Sequence, residues 1–412
     1  MSADDEADQP GTSVPLLEPR DGLPPVTETE AALAEVTGRL AHGHGPVAVD
    51  AERASGYRYG QRAYLVQLRR DGAGTMLIDP IACPDLSGVD AALADTEAVL
   101  HAASQDLPCL AEVGYRPRRL FDTELAGRLL GYPRVALGTL VEEVLGLHLE
   151  KGHSAADWSV RPLREELLRY AALDVEVLVE LRDALAIQLA DQGKTEWARQ
   201  EFAAVLAAKP ASPRADPWRR TSGIHRVHSR RGLAVVRELW TVRDQIAETA
   251  DLSPRRVLPD SAIIEAARSV PVSWAQLTQI TGFTGRASRR QEKEWLAAIE
   301  RARASADSEL PEAAGAPAPA GPPPAHRWAE RDPAAAARLA AARAAVTAVA
   351  ETNNLPAENL LAPDALRRLS WDPPQPGDPG SVAEVLAGYG ARPWQIELTA
   401  GPVAGALSAA ES

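Results

Sequence analysis

Two acidic residues, Asp50 and Glu52, lie two positions apart in the segment VAVDAE. On a β-strand that spacing sends both side chains to the same face of the sheet. Carboxylates that close repel each other and raise each other's pKa unless a cation lies between them, and hard oxygen ligands suit Mg²⁺ or Mn²⁺. A solvated strand end would show the same pair, so the pair alone leaves both interpretations open.

A second candidate pair is Tyr170 and Asp174 in the segment RYAALDVEVLVEL. Four residues apart on a helix, the phenol and the carboxylate share one face. Leu167, Leu178 and Leu181 fall on that face too, so the carboxylate interrupts an apolar stripe and is expected to be partly buried. A buried carboxylate needs a metal, another cation or hydrogen-bond donors. The alternative to a metal is a structural salt bridge to an arginine.

Two further aspartates follow apolar runs that pass directly into helical residues. Asp106 lies in LHAASQDLPCL and Asp122 in LFDTEL. Either could place a carboxylate at the end of a strand, where it could act as a catalytic or metal-binding group. Either could equally cap the first turn of a helix.

A few polar and aromatic residues near these segments are weaker candidates. Lys151, Ser154 and Arg161, around the string ADWSVRP, could contact backbone phosphates. An exposed charged loop would have the same composition. His101 is expected to pack beside the site rather than to act as an acid, and Trp158 is expected to be a packing anchor rather than a platform for a base.

The elements that must position these residues form an α/β domain followed by helices. VAVDAE, AYLVQLRR and GTMLIDP are short strand-like runs separated by glycine-containing turns, and they predict an antiparallel start to a sheet. EAVLHAAS and RRLFDTELAGRLLGY each predict a strand that leads into a helix. The expected architecture is a mixed sheet with flanking helices, closed by a long helical stretch from Pro162 to about Ala190.

The second half of the chain contains an internal repeat. AETADLSPRRVLPDSAI at 247–263 is echoed by AETNNLPAENLLAPDAL at 350–366, with a constant offset of 103 residues. Between the two copies lies PEAAGAPAPAGPPPA, which cannot form a helix and predicts a stiff tether. Two related helical modules are therefore expected, which is fewer repeats than a solenoid needs.

Composition restricts the class of protein. The 412 residues are 45% hydrophobic and 25% charged, which is typical of a globular chain. Cys83 and Cys109 are the two cysteines, so a disulfide framework and a thiolate zinc site are excluded. The acidic start MSADDEADQP is unlike a secretion signal, and no apolar run approaches the roughly 18 residues that a membrane helix needs. A cytoplasmic protein without a membrane partner is expected.

Charge is distributed unevenly along the chain. The net charge is −13, yet residues 214–303 hold 17 Lys and Arg against 10 Asp and Glu, whereas residues 326–412 hold seven Arg against ten acids. A basic helical module is the electrostatic footprint of nucleic-acid capture. An arginine-rich soluble surface is the alternative. The candidate phosphate contacts are Arg289 and Arg290, with Arg230, Arg231 and Arg286 as further contributors.

The acidic motifs, taken in order, resemble a known family. The strings VDAE, LHAASQDL, FDTELAGRLLG, LEKGHSAADWSVRPL and YAALDVEVL, spread over residues 47–178, are similar to those of ribonuclease D, a DEDD exonuclease of the tyrosine type. The resemblance implies a ribonuclease-H-like sheet and two divalent ions, Mg²⁺ or Mn²⁺. It further implies Asp50, Glu52, Asp106 and Asp174 as ligands, Tyr170 beside the attacking water, and Asp122 near the nucleotide.

The helical part resembles the HRDC domain (helicase and ribonuclease D C-terminal), particularly in RELWTVRDQIAETADLSPRRVLPDSAIIEAA. The fold class expected is therefore α/β, a ribonuclease-H-like mixed sheet followed by two all-α HRDC-like domains. The predicted boundaries are a disordered acidic leader over 1–25, an exonuclease domain over 26–205, a linker over 206–224, an HRDC domain over 225–305, a Pro/Ala-rich linker over 306–327 and a second HRDC-like domain over 328–408.

The activity implied by the resemblance is 3′–5′ exoribonuclease, which releases nucleoside 5′-monophosphates from single-stranded RNA 3′ ends such as those of tRNA precursors. A DNA exonuclease of the same superfamily is one alternative, because two-metal hydrolysis does not demand a 2′-hydroxyl. A non-catalytic RNA-binding adaptor is another, and the intact acidic set counts against it. The sequence departs from the family after each carboxylate of VDAE, at Ala51 and Arg53, and Tyr57, Arg58 and Tyr59 are candidates to stack the terminal base unless they only form a hairpin turn.

Overall fold

The computed structural model describes residues 13–150, 152, 156–209, 215–312 and 321–410. They form two compact units. The first unit contains the chain up to residue 52, residues 63–209 and the chain from residue 321 onward, and the second unit contains residues 53–62 and the chain from 210 to 320. Each unit has its own cluster of buried apolar side chains.

The first unit is built on a six-stranded sheet with the order β2-β5-β4-β3-β6-β7. β4 and β5 pair antiparallel, whereas β3 with β6, β6 with β7 and β2 with β5 pair parallel. The predicted mixed sheet is thereby confirmed, including its antiparallel start. The strands of this sheet are β2 (Val26–Thr27), β3 (His44–Arg53), β4 (Ala63–Asp71), β5 (Gly74–Ile78), β6 (Glu97–Leu100) and β7 (Arg119–Asp122).

Helices cover the sheet, and two of them follow strands as predicted. β6 leads through a short 3-10 turn into α3, and β7 leads directly into α4, whose last turn ends at Gly131 with φ of +86°. The predicted long closing helix is two helices, α6 and α7, which meet at Val177. The helices of this part are α1 (Glu30–His42), α2 (Ser87–Ala92), α3 (Leu107–Glu112), α4 (Thr123–Leu130), α5 (Leu137–Leu145), α6 (Glu165–Glu176), α7 (Leu178–Asp191) and α8 (Thr195–Ala207).

The predicted disordered leader over 1–25 is wrong for its second half. β1 (Val14–Leu16) pairs parallel with β8 (Leu147–Leu149), and charged residues after β1 form ion pairs with the first unit, such as Glu18 with Arg169 and Asp21 with Arg69. These partners are distant in sequence, so no local pattern could reveal them. Residues 1–12 lie outside the described part of the chain.

The second unit is helical and packs around Trp218, Phe283 and Trp295. Trp218 and Leu310 are buried in this core although they fall in the predicted linkers over 206–224 and 306–327, so both linkers are shorter than expected. Residues 210–214 and 313–320 of those linkers are outside the described residues. The helices are α9 (Arg230–Ala250), α10 (Pro254–Val257), α11 (Asp260–Ser269), α12 (Trp274–Leu277), α13 (Arg286–Arg290) and α14 (Glu292–Ala304).

A C-terminal helical module repeats part of this arrangement. α10 and α17 begin and end at positions 103 residues apart, and the corner before each contains a left-handed residue, Asp251 with φ of 48° and Asn354 with φ of 49°. The internal repeat is therefore present in the structure. The helices of the module are α15 (Trp328–Arg331), α16 (Pro333–Thr352), α17 (Ala357–Leu360), α18 (Pro363–Trp371), α19 (Pro379–Gly388) and α20 (Pro393–Ala409).

Unlike its repeat partner, the C-terminal module shares the hydrophobic core of the first unit. Trp394 stacks on Trp197 of α8 with ring centroids 4.7 Å apart. Asn354 donates from Nδ2 to the Leu130 carbonyl at 2.9 Å, and its own carbonyl accepts from Lys194 Nζ at 3.2 Å. Gly131 fits beneath it because a Cβ there would lie 2.6 Å from the Asn354 carbonyl oxygen. The module thus packs as part of the first unit rather than as a separate domain.

The two longest helices, α9 and α16, bury one face and expose the other. Among the described residues, no helix joins enough length to enough apolar character to cross a lipid bilayer.

Candidate active site

Three carboxylates from distant parts of the chain converge in the first unit. Asp50 and Glu52 lie on β3, where they alternate with the buried Ala51, and Asp174 lies on α6. One ligand oxygen from each of the three lies within 4.8 Å of the others, and all three side chains are partly buried. Oxygen donors at such separations could bind one hard divalent cation together. The sheet and α6 thus bring together three carboxylates that could hold a divalent metal ion.

The electrostatics of this group favour a cation. Burial, together with the negative charge of Asp50, raises the pKa of Asp174 well above its ordinary value, although a hydrogen bond from Tyr170 opposes the shift. Burial and the repulsion between carboxylates both disfavour the charged form of Asp174, and a bound divalent ion would counter both. The donor set therefore fits Mg²⁺ or Mn²⁺ on chemical grounds as well as on spacing.

Tyr170 is a hydrogen-bond donor in this group. Burial, and then the charges of Asp174, Glu52 and Asp50, raise the pKa of its hydroxyl well above the ordinary value for tyrosine. The hydroxyl consequently stays protonated at neutral pH and donates to Asp174. Its ring packs against Trp158, with centroids 6.5 Å apart, and Trp158 is fully buried as expected of a packing anchor.

Asp106 is buried at the start of α3 but lies outside the group of three. Its side chain makes no capping hydrogen bond to the helix that follows. The simple capping role that the sequence also allowed is therefore absent. Its role as a metal ligand stays a prediction.

Asp122 has a structural task in this fold, and its proximity to the nucleotide stays a prediction. Its carboxylate is 2% exposed and accepts four backbone N–H groups: those of Glu124 and Leu125, which cap α4, and those of Ala102 and Ala103, at 3.1 and 2.8 Å. Burial raises the pKa of Asp122 although these bonds oppose the shift. Ala102 has φ of 57°, so the carboxylate holds a strained turn shortly before Asp106.

His101 is not a proton donor in this environment. Burial lowers its pKa to about 4, so the ring is neutral at pH 7. Nδ1 lies 2.9 Å from the Thr123 hydroxyl, which itself donates to the Leu100 carbonyl. A hydrogen bond thus holds the neutral ring beside Thr123. The expected packing role agrees with this geometry.

Arg161, predicted to contact phosphate, is fully occupied within the protein. Two of its N–H groups bind the buried Asp79 carboxylate, from Nε at 2.6 Å and from Nη2 at 2.9 Å. The others reach the carbonyls of Tyr64, Trp158 and Val160. Since a guanidinium has five N–H donors, none remains for a phosphate. The prediction for Arg161 is therefore wrong. Its partner Asp79 is distant in sequence, so no local pattern could reveal the pairing.

The remaining predicted substrate contacts are distributed as follows. Lys151 and Ser154 lie outside the described residues. Arg289 and Arg290, on α13 of the second unit, are exposed. Arg230 and Arg231 instead donate to backbone carbonyls between residues 302 and 311 of the same unit, so they stabilise the end of α14 and the segment after it.

Asp79 is the residue of this region that the sequence analysis did not single out. It follows β5 in the string LIDP, and its side chain is 5% exposed. Despite the cost of burial, hydrogen bonds from Arg161 and from the Ile81 N–H lower the pKa of Asp79. An aspartate directly after an apolar strand is the signal that could have marked it.

Comparison with known protein families covers both units. The chain matches the family described as "3'-5' exonuclease" over residues 25–190, the "HRDC domain" over 232–299 and the "3' to 5' exonuclease C-terminal domain" over 321–407. The third match covers the module for which a second HRDC-like domain was predicted. The three matches follow one another along the chain without overlap.

The alignments with individual relatives cover most of the chain. Ribonuclease D of Acidiphilium cryptum (strain JF-5) is 34% identical over 310 residues, which are 73% of this chain and 77% of the relative. A solved protein from Bifidobacterium adolescentis is 40% identical with a TM-score of 0.89, over 96% of this chain and 100% of that one. Escherichia coli RNase D, described as an exoribonuclease involved in structured RNA processing, is 25% identical with a TM-score of 0.66, over 93% and 98% of the two chains. From its fold, its carboxylate group and these similarities, the chain belongs to the ribonuclease D family.

Proposed function

We propose that this metal-dependent 3′–5′ exoribonuclease trims the single-stranded 3′ ends of structured RNAs, including tRNA precursors, in the cytoplasm and releases nucleoside 5′-monophosphates. The observation that carries the proposal is the convergence of Asp50, Glu52 and Asp174 beside a protonated Tyr170. The description of the similar E. coli enzyme as a processor of structured RNA supports the choice of substrate.

The cofactor in this proposal is a pair of divalent ions, Mg²⁺ or Mn²⁺. Asp50, Glu52 and Asp174 would hold them, with Asp106 completing the second site. When bound, two such ions stabilise the negative charge that develops on the attacking and leaving oxygens of a phosphodiester. Oxygen ligands on a rigid strand and a packed helix keep their positions without reorganisation during the reaction.

The remaining side chains orient the attacking water and hold the metal-binding residues in position. Tyr170 keeps its hydroxyl proton and orients the attacking water by hydrogen bonding, because a phenol with a raised pKa is a poor base at neutral pH. Trp158 restricts the tilt of the Tyr170 ring. Asp122 fixes the turn at Ala102 and Ala103 and so the start of the segment that carries Asp106.

A direct test compares 5′-labelled RNA with a DNA of the same sequence in Mg²⁺, Mn²⁺ or EDTA. We expect the RNA to shorten stepwise from its 3′ end with either ion, to release 5′-monophosphates, and to stay intact in EDTA. Equal shortening of both polymers would identify a DNA exonuclease of the same superfamily instead. Retention of RNA in a gel without shortening would identify a binding adaptor.

The exposed pair Arg289 and Arg290 is proposed to hold the phosphates of a longer RNA. Reversing both charges, Arg289→Glu with Arg290→Glu, should weaken RNA retention. It should also flatten the dependence of log K on log salt concentration by about 1.4, because each phosphate contact with a single strand contributes about 0.7. The measurement is a binding titration at several salt concentrations.

A matched control separates local contact from net charge. Arg268 and Arg303 belong to the same unit and are exposed, but they form short-range ion pairs with Glu265 and Glu300. Arg268→Glu with Arg303→Glu changes the net charge equally and should leave the salt slope as in the wild type. The same flattening in both double variants would assign the effect to overall charge and reject a phosphate contact at α13.

A further inference from the structure

The strand that carries two of the three clustered carboxylates ends in the second unit. The chain crosses from the first unit to the second between Glu52 and Arg53, and it returns between Arg62 and Ala63. The ten residues 53–62, here called the anchor segment, therefore belong to the helical unit. β3 itself extends to Arg53, so its carboxylate-bearing end is continuous with the anchor segment.

Polar contacts hold the anchor segment on the last two turns of α9 and on the corner between α9 and α10. The Tyr59 hydroxyl donates to Asp244 Oδ2 at 3.2 Å, and Arg62 Nη2 lies 2.8 Å from Asp251 Oδ2. The Ser253 N–H donates to the Tyr57 carbonyl at 3.0 Å. Three residues of the anchor segment are thus bonded to the end of α9 and the corner that follows it.

An aromatic contact adds to these bonds. The guanidinium carbon of Arg256 lies 4.8 Å from the centroid of the Tyr57 ring, within the range of a cation–π interaction. Arg58 is 3.9 Å from the Asp251 carboxylate. Tyr57, Arg58 and Tyr59, which the sequence offered as a stacking platform for the terminal base, are instead engaged in holding the anchor segment.

The anchor segment has little structure of its own. Beyond Arg53 it contains turns and bends but no helix or strand, and Gly60 has φ of +81°. Tyr57 and Arg58 both donate their N–H groups to the Ala54 carbonyl, which closes a single turn. A segment of turns and bends depends for its conformation on the contacts with the surface that holds it.

We propose that the second unit, through Asp244, Asp251 and Arg256, is a positioning element for hydrolysis itself. It restrains the anchor segment and thereby the end of β3, the strand that carries Asp50 and Glu52. This inference rests on the proposed function of those carboxylates. It differs from RNA capture, because it predicts that the second unit matters even for a substrate with one phosphodiester. Small displacements of groups at a reacting centre cost large factors in rate.

The test uses the full chain with Asp244→Ala and Arg256→Ala combined, and a dinucleotide substrate with Mn²⁺. We expect kcat for the dinucleotide to fall about tenfold or more while KM changes less than threefold. Mn²⁺ binding, titrated directly by electron paramagnetic resonance, should weaken by a similar factor. If these contacts only stabilise the fold, the double variant will have a lower melting temperature, but kcat and the Mn²⁺ affinity of the folded protein will be unchanged.

Matched variants make the result specific. Glu265 and Arg268 form an exposed acid–arginine pair on the same unit, and Glu265→Ala with Arg268→Ala should keep wild-type kcat and Mn²⁺ affinity. Arg256→Lys keeps a cation over Tyr57 and should restore most of the rate lost in Arg256→Ala. If the Asp244 and Arg256 double variant does not fold, Tyr59→Phe provides the test instead. This change removes one hydroxyl, and we expect it to lower kcat about threefold.

Two outcomes overturn different statements. A folded double variant, or Tyr59→Phe, with wild-type kcat and Mn²⁺ affinity would reject the positioning role of the second unit. A wild-type protein that leaves the dinucleotide and longer RNA uncut, or an Asp174→Asn variant as active as the wild type, would reject the proposed function instead.

Discussion

Asp174→Asn is expected to lower the rate of RNA hydrolysis at least about a thousandfold and to leave the protein folded. A factor of that size corresponds to about 4 kcal/mol of lost transition-state stabilisation, since each 1.36 kcal/mol is a factor of ten. The substitution removes one of three clustered carboxylates. Residues that only support a metal ligand typically contribute ten- to a hundredfold, so a ligand itself should contribute more.

The folded state should tolerate this change because it relieves repulsion. Burial and the charge of Asp50 already raise the pKa of Asp174, which shows that its charged form is unfavourable without a cation. Asn has nearly the same shape and carries no charge. In EDTA the variant should therefore melt at or slightly above the wild-type temperature.

Melting curves with and without Mn²⁺ complete this test. A ligand that binds the native state stabilises it by RT ln(1 + [L]/Kd), so Mn²⁺ should raise the melting temperature of the wild type and not that of Asp174→Asn. Glu166→Gln, an exposed acid-to-amide change on the same helix, is the control and should behave as the wild type. A thousandfold loss in Glu166→Gln, or none in Asp174→Asn, would remove Asp174 from the mechanism.

Arg161→Ala should lower the free energy of unfolding by about 3–5 kcal/mol, the range measured when one partner of a buried ion pair is removed. The change leaves the Asp79 carboxylate, 5% exposed, without its guanidinium. It also leaves the carbonyls of Tyr64, Trp158 and Val160 without this donor. For domains of this size each kcal/mol lowers the melting temperature by roughly 2–4 °C.

The effect of Arg161→Ala should depend on pH with a defined sign. In the wild type the pKa of Asp79 is lowered, so its ion pair stabilises the protein above the unfolded pKa of about 3.9 and this contribution is lost as pH falls through the lower folded value. In the variant the unpaired buried carboxylate can be protonated at higher pH. The difference in stability between the two proteins should consequently shrink between pH 7 and pH 4.

Denaturant unfolding at several pH values measures this difference. Asp79→Ala with Arg161→Ala should cost less than the sum of the single variants, because the pair is removed together. Additive single effects would mean that the two side chains act independently and that Arg161 is available for another partner.

Sequence periodicity was sufficient for the parts of the fold that depend on near neighbours. The alternation of Asp50, Ala51 and Glu52 placed two carboxylates on one strand face, and the strand-to-helix runs at β6 and β7 are present as predicted. The meeting of Asp174 with these carboxylates required the family resemblance, because no local rule connects β3 with α6.

What the sequence could not predict depends on partners far along the chain. An arginine in a polar loop has the same local pattern whether it faces solvent or, as Arg161 does, a carboxylate 82 residues away. Asp122 is similar, since its bonds to Ala102 and Ala103 involve a neighbouring strand end. The leader was misjudged for the same reason, because β1 contributes only three residues and its pairing partner is β8.

The duplicated corner has a consequence for how this chain can vary. Asp251 pairs with Arg62, whereas its counterpart 103 positions later, Asn354, donates to the Leu130 carbonyl over a glycine that leaves no space for a methyl group. A side chain at position 131 would collide with Asn354, and an aspartate at 354 would lose its donor to that carbonyl. The two corners share one sequence pattern, yet they are not interchangeable. Position 131 must stay glycine whatever side chain stands at 354, because an added carbon would meet the backbone oxygen of residue 354.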